Sequence, residues 1–227
     1  MSLTFATPHD GTLSLDPRAC LIAGWTGRDA AKVAAHIEEL AALGVPRPST
    51  TPLYYQVPAA LLAQGPVLDV LGDATSGEAE PVVVDDGERL WLGLGSDHTD
   101  RGLEASSVAH AKAVCGKPLA GGLWPLDDVA DRLDTLHLAS EISDDGTTWA
   151  PYQDGTLAQI RPLSELVAGA PGAAGGGLGA GVVLFCGTLS AMGGVRPAPR
   201  FRATLRDPET GRELALEYRT HSLPIVA

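Results

Sequence analysis

Basic residues are scarce in this chain. Lysine and arginine together account for 16 of its 227 residues, against 28 aspartates and glutamates, and the formal net charge is −12 at pH 7. Such an excess of negative charge repels a nucleic-acid backbone and an anionic membrane surface. We therefore expect neither a nucleic acid nor a membrane as a partner.

Cysteines are also few. Cys20, Cys115 and Cys186 are widely separated and odd in number, so they form neither a disulfide framework nor a CxxC metal motif. We expect Cys20 and Cys186, which lie in apolar runs, to be buried thiols. No motif supports Cys115 as a nucleophile.

Long apolar segments are absent. No run approaches the roughly 20 residues that cross a bilayer. The N-terminal sequence MSLTFATPHDG has no basic region followed by an apolar stretch, so we expect no signal peptide and a cytoplasmic location. The G-x-S-x-G elbow of serine hydrolases and the H-E-x-x-H motif of zinc proteases are missing as well.

Turn-forming residues, by contrast, are plentiful. The chain has 27 glycines and 17 prolines, and 44% of its residues are hydrophobic. This composition favours many short strands around a core over long helices. We predict a mainly β protein of the α+β class with short helices. Residues 1–227 are predicted to form one domain, with a strand–helix portion in 1–60 and a β-rich portion in 61–227.

The N-terminal portion is predicted to hold two short strands within residues 1–23. Apolar residues then recur at intervals of three and four, which predicts a helix over Arg28–Leu43 that Gly44 and Pro46 end. An extended run follows at Leu53–Val57.

Turn sequences of the Asp-Gly type predict three hairpins in the rest of the chain. The first joins strands at Glu78–Val84 and Arg89–Gly95, the second turns at Asp144–Gly146, and the third joins Phe201–Leu205 to Leu214–Tyr218. Residues 102–113 and Ser164–Ala168 are predicted to be short helices. The stretch Gly169–Gly181 lacks the Lys-Ser/Thr of a phosphate loop, so it is interpreted as a flexible loop.

Three carboxylates are candidates for a metal site in the first hairpin. Glu78 and Glu80 are two residues apart on one strand, so their side chains point to the same face. Asp97 closes the partner strand, whose end lies near the start of the first. Three close negative charges are costly unless a cation neutralises them, and an all-oxygen site favours Mg²⁺, with Mn²⁺ or Ca²⁺ as alternatives. The other interpretation is that Glu78 and Glu80 face solvent on an edge strand.

Four fragments, in order, resemble the fumarylacetoacetate hydrolase superfamily. GEAEPVVVDDGERLWLGLGSDHTDR is similar to its metal segment, and Glu78, Glu80, Asp97 and Arg101 fall on matching positions. CLIAGWTGRDAAKVAAHIEELAALGVPRPSTTPLYYQVP is similar to its N-terminal signature, which includes an H-x-x-E helix. CGKPLAGGLWPLDDV resembles its lysine-containing loop, and VVLFCGTLSAMGG resembles its glycine- and threonine-containing strand and turn.

The chain also departs from the family pattern. Trp25-Thr26-Gly27 replaces an Asn-Tyr before the helix, and the H-x-x-E pair, matched to His36 and Glu39, is displaced by several residues. Gln56 stands where many relatives have lysine. The resemblance is therefore to a divergent branch.

The resemblance implies a mixed β-roll or sandwich whose metal-bearing β-roll is residues 61–227. It also implies an enzyme that binds a small carboxylate substrate through Mg²⁺ or Mn²⁺, held by Glu78, Glu80 and Asp97. The first hypothesis is hydrolysis of a carbon–carbon bond in an acylpyruvate-like 2-oxo or 1,3-dicarbonyl acid, with an enolate stabilised by the metal. The alternatives are a decarboxylase, isomerase or hydratase, and a non-catalytic small-molecule-binding protein.

The same resemblance assigns catalytic roles to three residues. Glu39 would orient His36, its neighbour at i, i+3, and His36 would deprotonate the attacking water. Lys117 would reach a substrate oxyanion or carboxylate. The alternatives are an incidental His–Glu pair on a surface helix and a solvated lysine.

The remaining site residues are candidates for substrate binding. Thr188 and the adjacent Gly187 would bind a substrate carboxylate, and so would Arg101, unless Arg101 pairs with Asp97 instead. His98 is expected to be either a supporting residue of the site or a surface residue, rather than a ligand of so hard an ion. Relatives are usually dimers, so we expect a homodimer, with the apolar segment Leu61–Leu71 as either an interface or a core strand.

Overall fold

The chain forms many short strands, as its glycine and proline content predicts. The computed structural model describes residues 2–8, 11–42 and 47–226. Within them the strands are β1 (Leu3–Thr7), β2 (Gly11–Leu15), β3 (Ala19–Gly24), β4 (Leu53–Val57), β5 (Leu62–Ala63), β6 (Val67–Leu71), β7 (Thr75–Ser76), β8 (Ala79–Asp85), β9 (Leu90–Ser96), β10 (Thr99–Asp100), β11 (Lys117–Pro118), β12 (Trp124–Pro125), β13 (His137–Ser143), β14 (Ala150–Thr156), β15 (Val182–Phe185), β16 (Arg200–Arg206) and β17 (Glu213–Leu223).

Helices are few and mostly short. The α-helices of the described residues are α1 (Ala30–Ala42), α2 (Arg101–Glu104), α3 (Val108–Ala113) and α4 (Leu163–Gly169). Single 3₁₀ turns occur at Ala59–Leu61, Leu126–Asp128, Leu133–Thr135 and Leu157–Gln159. None of the helices described here is long and apolar enough to cross a membrane.

A six-stranded sheet in the order β12-β9-β8-β15-β3-β4 carries the first predicted hairpin at its centre. Every residue of β8 is buried, because apolar side chains cover both faces of this sheet. The β1–β2 hairpin covers one face with Leu3 and Phe5. Strands buried on both faces are continuous apolar runs, which is what Pro81–Val84 provides.

The second sheet covers the other face. It has five strands in the order β14-β13-β16-β17-β6, and its apolar side chains share one core with those of the first sheet. Leu138, Phe201 and Leu205 reach this core from the second sheet, and Val83 and Leu92 reach it from the first. The result is a sandwich of two mixed sheets, so the predicted fold class is confirmed.

Two local predictions are wrong. The described part of residues 1–23 (2–8 and 11–23) contributes to three strands, not the two predicted, because β1 and β2 pair with each other before β3 enters the large sheet. Residues 102–113 form two helices instead of one. Ser107 has an extended backbone, and its side chain accepts a hydrogen bond from His110 N, so it caps a new helix.

The other predicted elements agree with the structure. The extended run is β4, the Asp144–Gly146 turn joins β13 to β14, and the last hairpin is β16–β17. The predicted first helix is α1, described to Ala42, while its predicted end at Gly44 and Pro46 lies outside the described residues.

The glycine-rich stretch after α4 is irregular, as predicted, but its final part is fixed. Asp85 at the end of β8 accepts hydrogen bonds from Leu178 N and Gly179 N, both at 2.8 Å. Gly181 N also donates to the Asp85 carbonyl at 2.8 Å. One buried carboxylate therefore holds the entry to β15.

The apolar residues between the β1–β2 hairpin and the six-stranded sheet form a second core, in which Phe185 is fully buried. Phe185→Ala should lower the free energy of unfolding by about 3–5 kcal/mol, since large-to-small core substitutions lose both transfer energy and packing. Urea unfolding measures the change. Val226→Ala, at a side chain 86% exposed, is the control and should change stability by less than about 0.5 kcal/mol. Equal effects from the two variants would contradict this description of the core.

Candidate metal centre

The β8–β9 hairpin brings three acidic side chains together. Glu78 precedes β8, Glu80 is its second residue, and Asp97 directly follows β9. Asp97 N donates to the Glu78 carbonyl at 2.9 Å, which fixes the open end of the hairpin. One carboxylate oxygen from each residue lies within 4.8 Å of the other two. These three residues could therefore hold a metal ion.

The site is buried. Asp97 is 0% exposed and Glu80 is 2% exposed, and the Glu78 side chain is 16% exposed. Because β8 lies between β9 and β15, the interpretation of Glu78 and Glu80 as solvent-facing residues on an edge strand is wrong.

Three basic side chains surround the acidic group. Lys112 on α3 pairs with Asp97 Oδ2, and Lys117 Nζ lies 3.0 Å from Asp97 Oδ1. Arg101 Nη2 lies 3.5 Å from Glu78 Oε2. The site is therefore a buried cluster in which basic side chains pair with acidic ones.

Arg101 is held by its neighbours. Its Nε donates to Ser76 Oγ at 2.7 Å, and its Nη1 donates to Glu104 Oε2 at 2.8 Å. The structure therefore pairs Arg101 with Glu78 and Glu104, and the alternative of an Arg101–Asp97 ion pair is wrong.

The three carboxyls have different electrostatic surroundings. Burial pushes the pKa of Asp97 upward, but Lys112 and Lys117 outweigh burial and hold the pKa at about 2. Burial and the charge of Asp97 raise the pKa of Glu80 well above its ordinary value. Burial likewise raises the pKa of Glu78, and Arg101 only partly opposes it.

The different surroundings of the three carboxyl groups indicate whether a cation would fit between them. Asp97 is ionised and pairs with both lysines, but its buried Oδ1 accepts no hydrogen bond from the residues that the structure describes. Among the same residues, Glu80 accepts one hydrogen bond, from Gly187 N to its Oε2 at 2.7 Å. A divalent cation would remove the penalty for ionising Glu80 and Glu78. The donors are all hard oxygens, as Mg²⁺, Mn²⁺ and Ca²⁺ prefer. The residues therefore fit such an ion.

A network of side-chain hydrogen bonds adjoins the carboxylates. Tyr218, which comes from the second sheet, shares its hydroxyl with Ser96 Oγ and His98 Nδ1, both at 2.9 Å. His98 Nε2 bonds to Thr75 Oγ1 at 2.8 Å. Burial and Lys117 lower the pKa of His98 to about 3, so its ring is neutral. Both ring nitrogens are occupied, so His98 supports the site, as its sequence position suggested.

The expected substrate-binding residues Gly187 and Thr188 lie beside the carboxylates. Thr188 Oγ1 donates to the Ala79 carbonyl at 2.8 Å. Gly187 has φ of +95°, and a side chain there would collide with Thr26, so only glycine brings its N–H to Glu80. Gln153 ties this loop down, because its Nε2 donates to the Leu189 carbonyl at 2.8 Å.

The three expected catalytic residues differ in their surroundings. Lys117 is fully buried, and its Nζ donates to the His98 carbonyl at 2.6 Å as well as pairing with Asp97. The interpretation of Lys117 as a solvated lysine is therefore wrong. His36 and Glu39 form a pair at 3.6 Å on α1, with side chains 61% and 75% exposed. No contact joins either of them to the carboxylates among the described residues.

Trp25 is the other notable feature near α1. Its φ is +61°, which is unusual for a bulky residue. Its ring centroid lies 6.0 Å from that of His36. Trp25 directly follows β3, at the position where this sequence departs from the superfamily pattern.

Sequence reasoning missed Lys112, Gln153 and Tyr218. Lys112 is 6% exposed, yet its helix was predicted only as part of one longer helix. Its position between two alanines, Ala111 and Ala113, was the signal in the sequence that Lys112 could be buried. Tyr218 and Gln153 come from distant strands, so only the tertiary fold reveals them.

Burial disfavours the thiolate form of the cysteines. Burial raises the pKa of Cys115 to about 11 and that of Cys20 to about 12. Cys186 is also buried. The prediction that Cys20 and Cys186 are buried thiols is confirmed.

Two solved structures share this fold. The first, described as "Crystal structure of Cg1458 with inhibitor", is 15% identical, with a TM-score of 0.62 over 95% of this chain and 82% of that one. The second, described as "2-keto-3-deoxy-D-arabinonate dehydratase apo form", is 14% identical, with a TM-score of 0.63 over 94% and 78% of the two chains. Both have folds of the fumarylacetoacetate hydrolase type, in agreement with the predicted fold class.

Family membership follows from the sequence. Residues 23–218 match the model of the family described as "Protein of unknown function (DUF2848)". Because the match spans most of the chain, this protein belongs to that family. A search of curated proteins finds no match.

The pKa of Glu80 predicts how stability depends on pH. Without metal, the folded protein keeps a proton on Glu80 that the unfolded chain loses above the ordinary pKa of 4.5. The free energy of unfolding should therefore fall as pH rises above about 4.5. Glu80→Gln should flatten this dependence. The pKa of Asp97 is lowered, so its contribution to the free energy of unfolding is lost as pH falls below its ordinary pKa of 3.8, outside the pH range of this effect.

Urea unfolding in EDTA, at steps between about pH 5 and 8, measures this effect. Glu213→Gln, at an exposed residue of β17, is the matched control and should keep the slope of the parent. A Glu80→Gln slope equal to that of the parent would contradict the electrostatic description.

Proposed function

We propose that this protein is a divergent member of the fumarylacetoacetate hydrolase superfamily and a divalent-metal-dependent hydrolase. Its substrate would be a 2-oxo or 1,3-dicarbonyl acid resembling an acylpyruvate, cleaved at a carbon–carbon bond. The metal would be Mg²⁺, or Mn²⁺ in its place, with Ca²⁺ as the third alternative. The observation that carries the proposal is the buried convergence of Glu78, Glu80 and Asp97 within 4.8 Å.

The charges of the site support an anionic substrate. Among the residues that the structure describes, three cations face Glu78, Glu80, Asp97 and Glu104, namely Arg101, Lys112 and Lys117. With all groups ionised, the cluster carries one net negative charge. A divalent cation would reverse it to one net positive charge, which a carboxylate substrate would then neutralise.

The residues around the carboxylates have distinct roles in this proposal. When bound, the metal would supply Lewis acidity that stabilises an enolate or enolate-like transition state. Glu78, Glu80 and Asp97 would hold it. Lys112 is protonated, because Asp97 and the two glutamates raise its pKa against the effect of burial. It therefore provides positive charge rather than a general base.

Other groups would bind and orient the substrate. Thr188 is part of the Gly187–Leu189 loop that Gln153 holds beside Glu80. Its backbone N–H is proposed to contact the substrate carboxylate, since its hydroxyl already donates to the Ala79 carbonyl. Lys117 contacts Asp97 and the His98 carbonyl, and these contacts support a role in positioning Asp97 as a metal ligand.

A 2-oxo acid substrate has support from two sides. Its carboxylate and adjacent oxo oxygen are a bidentate pair that suits a hard ion with open coordination positions. A protein of the same fold is described as a 2-keto-3-deoxy-D-arabinonate dehydratase.

The exposure of His36 favours a second candidate function. The His36 side chain is 61% exposed, and no contact joins it to the carboxylates among the described residues, which favours a reaction without a water base on α1. Dehydration, decarboxylation or isomerisation of a 2-oxo acid needs the metal but not a water base on α1. These reactions form the second candidate.

The homodimer stays a prediction. Along the segment Leu61–Leu71, Leu62 and Leu68 are buried, whereas Val67 and Leu71 are 44% and 51% exposed. One face of this segment is therefore part of the core, and the other is available to a second copy.

Metal binding is the first testable consequence. Mg²⁺ or Mn²⁺ at about 100 times its Kd should stabilise the protein by about 2.7 kcal/mol. For a chain of this size the expected rise in Tm is about 5–10 °C. Differential scanning calorimetry in metal and in EDTA measures it.

Glu80→Gln should lose this metal-dependent rise in Tm, and Glu213→Gln should keep it. A parent protein whose Tm is unaffected by either metal would exclude the proposed site. A Glu80→Gln variant with the full rise would place the metal elsewhere.

Activity is the second consequence. Acylpyruvate cleavage should require metal, stop in EDTA, and fall by more than about 100-fold in Glu80→Gln, since such electrostatic stabilisation accounts for about 10²–10³ in rate. Following the loss of the acylpyruvate absorbance measures hydrolysis. Metal-dependent turnover of 2-keto-3-deoxy sugar acids, without acylpyruvate cleavage, would replace the first candidate by the second.

His36→Ala separates the two candidates further. Hydrolysis that uses His36 as the water base should lose about 10²–10⁴ in kcat. Full activity in this variant would show that the reaction does not use His36 and would favour the second candidate.

A further inference from the structure

A buried lysine of α3 is the unusual residue beside the candidate metal centre. Lys112 is 6% exposed, although a lysine is almost never buried unless its charge is paired. Ala111 and Lys112 are the buried residues of this six-residue helix. The helix therefore packs against the protein partly through a charged side chain.

Lys112 lies on the face of the six-stranded sheet that carries Glu80. Side chains alternate along β8, so Glu80 points to the same face as Val82 and Val84, which belong to the core beneath the β1–β2 hairpin. Tyr55 of β4 packs against that same core. The Nζ of Lys112 lies 5.7 Å from the centroid of the Tyr55 ring, so the ammonium and Glu80 share one face.

The two lysines of the site are held differently. Lys112 Nζ donates to Asp97 Oδ2, and among the described residues it has no second acceptor, although an ammonium has three donors. Lys117 is fully buried, donates to the His98 carbonyl at 2.6 Å and lies 3.0 Å from Asp97 Oδ1. Lys112 is thus the less constrained of the two.

The charge of Lys112 acts on all three carboxyls. Burial raises the pKa of Glu78 and that of Glu80, and Lys112 partly opposes the rise at both. Burial also acts to raise the pKa of Asp97, and Lys112 is the first of the charges that lower it instead. A cation that serves all three carboxyls at once is what a shared metal ion would be.

An ammonium and a divalent ion at the same carboxylates oppose each other. Two cations in a buried site repel strongly, because little water screens them. With all groups ionised, the four acids and three cations of the cluster carry one net negative charge. Without Lys112 the cluster would carry two, which a divalent ion would neutralise.

We propose that Lys112 is an internal competitor of the metal. Its ammonium neutralises the carboxylates in the metal-free protein and lowers their affinity for a divalent ion. This inference rests on the proposed function and adds regulation to the same site, because metal occupancy then follows the free concentration of the ion. The opposite role would be structural, with Lys112 orienting Asp97 as a ligand and so raising the affinity.

Mn²⁺ titration of the metal-stripped protein by isothermal titration calorimetry separates the two roles by sign. Lys112→Met removes the charge and keeps a side chain of similar length against Tyr55. It should bind Mn²⁺ about 10- to 100-fold more tightly than the parent, within the usual range of coupling between two sites. Lys112→Gln, which also keeps an N–H donor for Asp97, should change the affinity in the same direction. Lys32→Met, at a side chain 86% exposed, is the matched control and should bind like the parent.

Thermal unfolding gives a second readout. In EDTA, Lys112→Met should have a lower Tm than the parent, because a buried carboxylate loses its counter-ion. At one fixed Mn²⁺ concentration its Tm should rise by more than that of the parent, since a lower Kd gives more stabilisation. A purely structural role predicts equal rises. If Lys112→Met is unfolded in EDTA, Mn²⁺ should restore its folding, and a variant that stays unfolded in saturating Mn²⁺ would contradict the proposal.

The outcomes distinguish this inference from the proposed function. Lys112 variants that bind Mn²⁺ with the affinity of the parent, or more weakly, would overturn the inference and leave the metal site in place. If neither the parent nor the Lys112 variants bind Mn²⁺, the proposed function fails and the inference fails with it.

Discussion

The balance of buried charges at the open end of the β8–β9 hairpin constrains the rest of this structure. Three carboxylates in so little space are tolerated only because Lys112, Lys117 and Arg101 approach them from outside the hairpin. The two lysines pair with Asp97, whereas Glu80 has a single backbone donor among the described residues. That asymmetry is why a divalent cation suits the site, since a cation would stabilise the charges that the lysines do not.

The two-sheet architecture serves this arrangement. Covering both faces of the six-stranded sheet makes β8 a fully buried strand, which removes Glu80 from water. The second sheet contributes Tyr218, whose hydroxyl joins Ser96 to His98, and it contributes Gln153, which fixes the loop after β15.

Local patterns in the sequence predicted much of this. The Asp-Gly turns gave the hairpins, and the alternation of side chains on a strand placed Glu78 and Glu80 with Asp97. Sequence reasoning named Lys117 and Arg101 as site residues, but it missed Lys112 and did not predict that both lysines pair with Asp97, because those contacts depend on the packing of a short helix and a two-residue strand. The role of His36 as a water base stays a prediction, and its side chain is 61% exposed. Contacts between distant elements are the part that periodicity does not encode.

The central claim is that Glu78, Glu80 and Asp97 share one divalent cation. Anomalous diffraction from crystals grown with Mn²⁺ tests it most directly, because the signal locates the ion without reference to activity. The account predicts a single strong peak within coordination distance of all three carboxylates. A peak at other residues, or no peak at a saturating Mn²⁺ concentration, would contradict it.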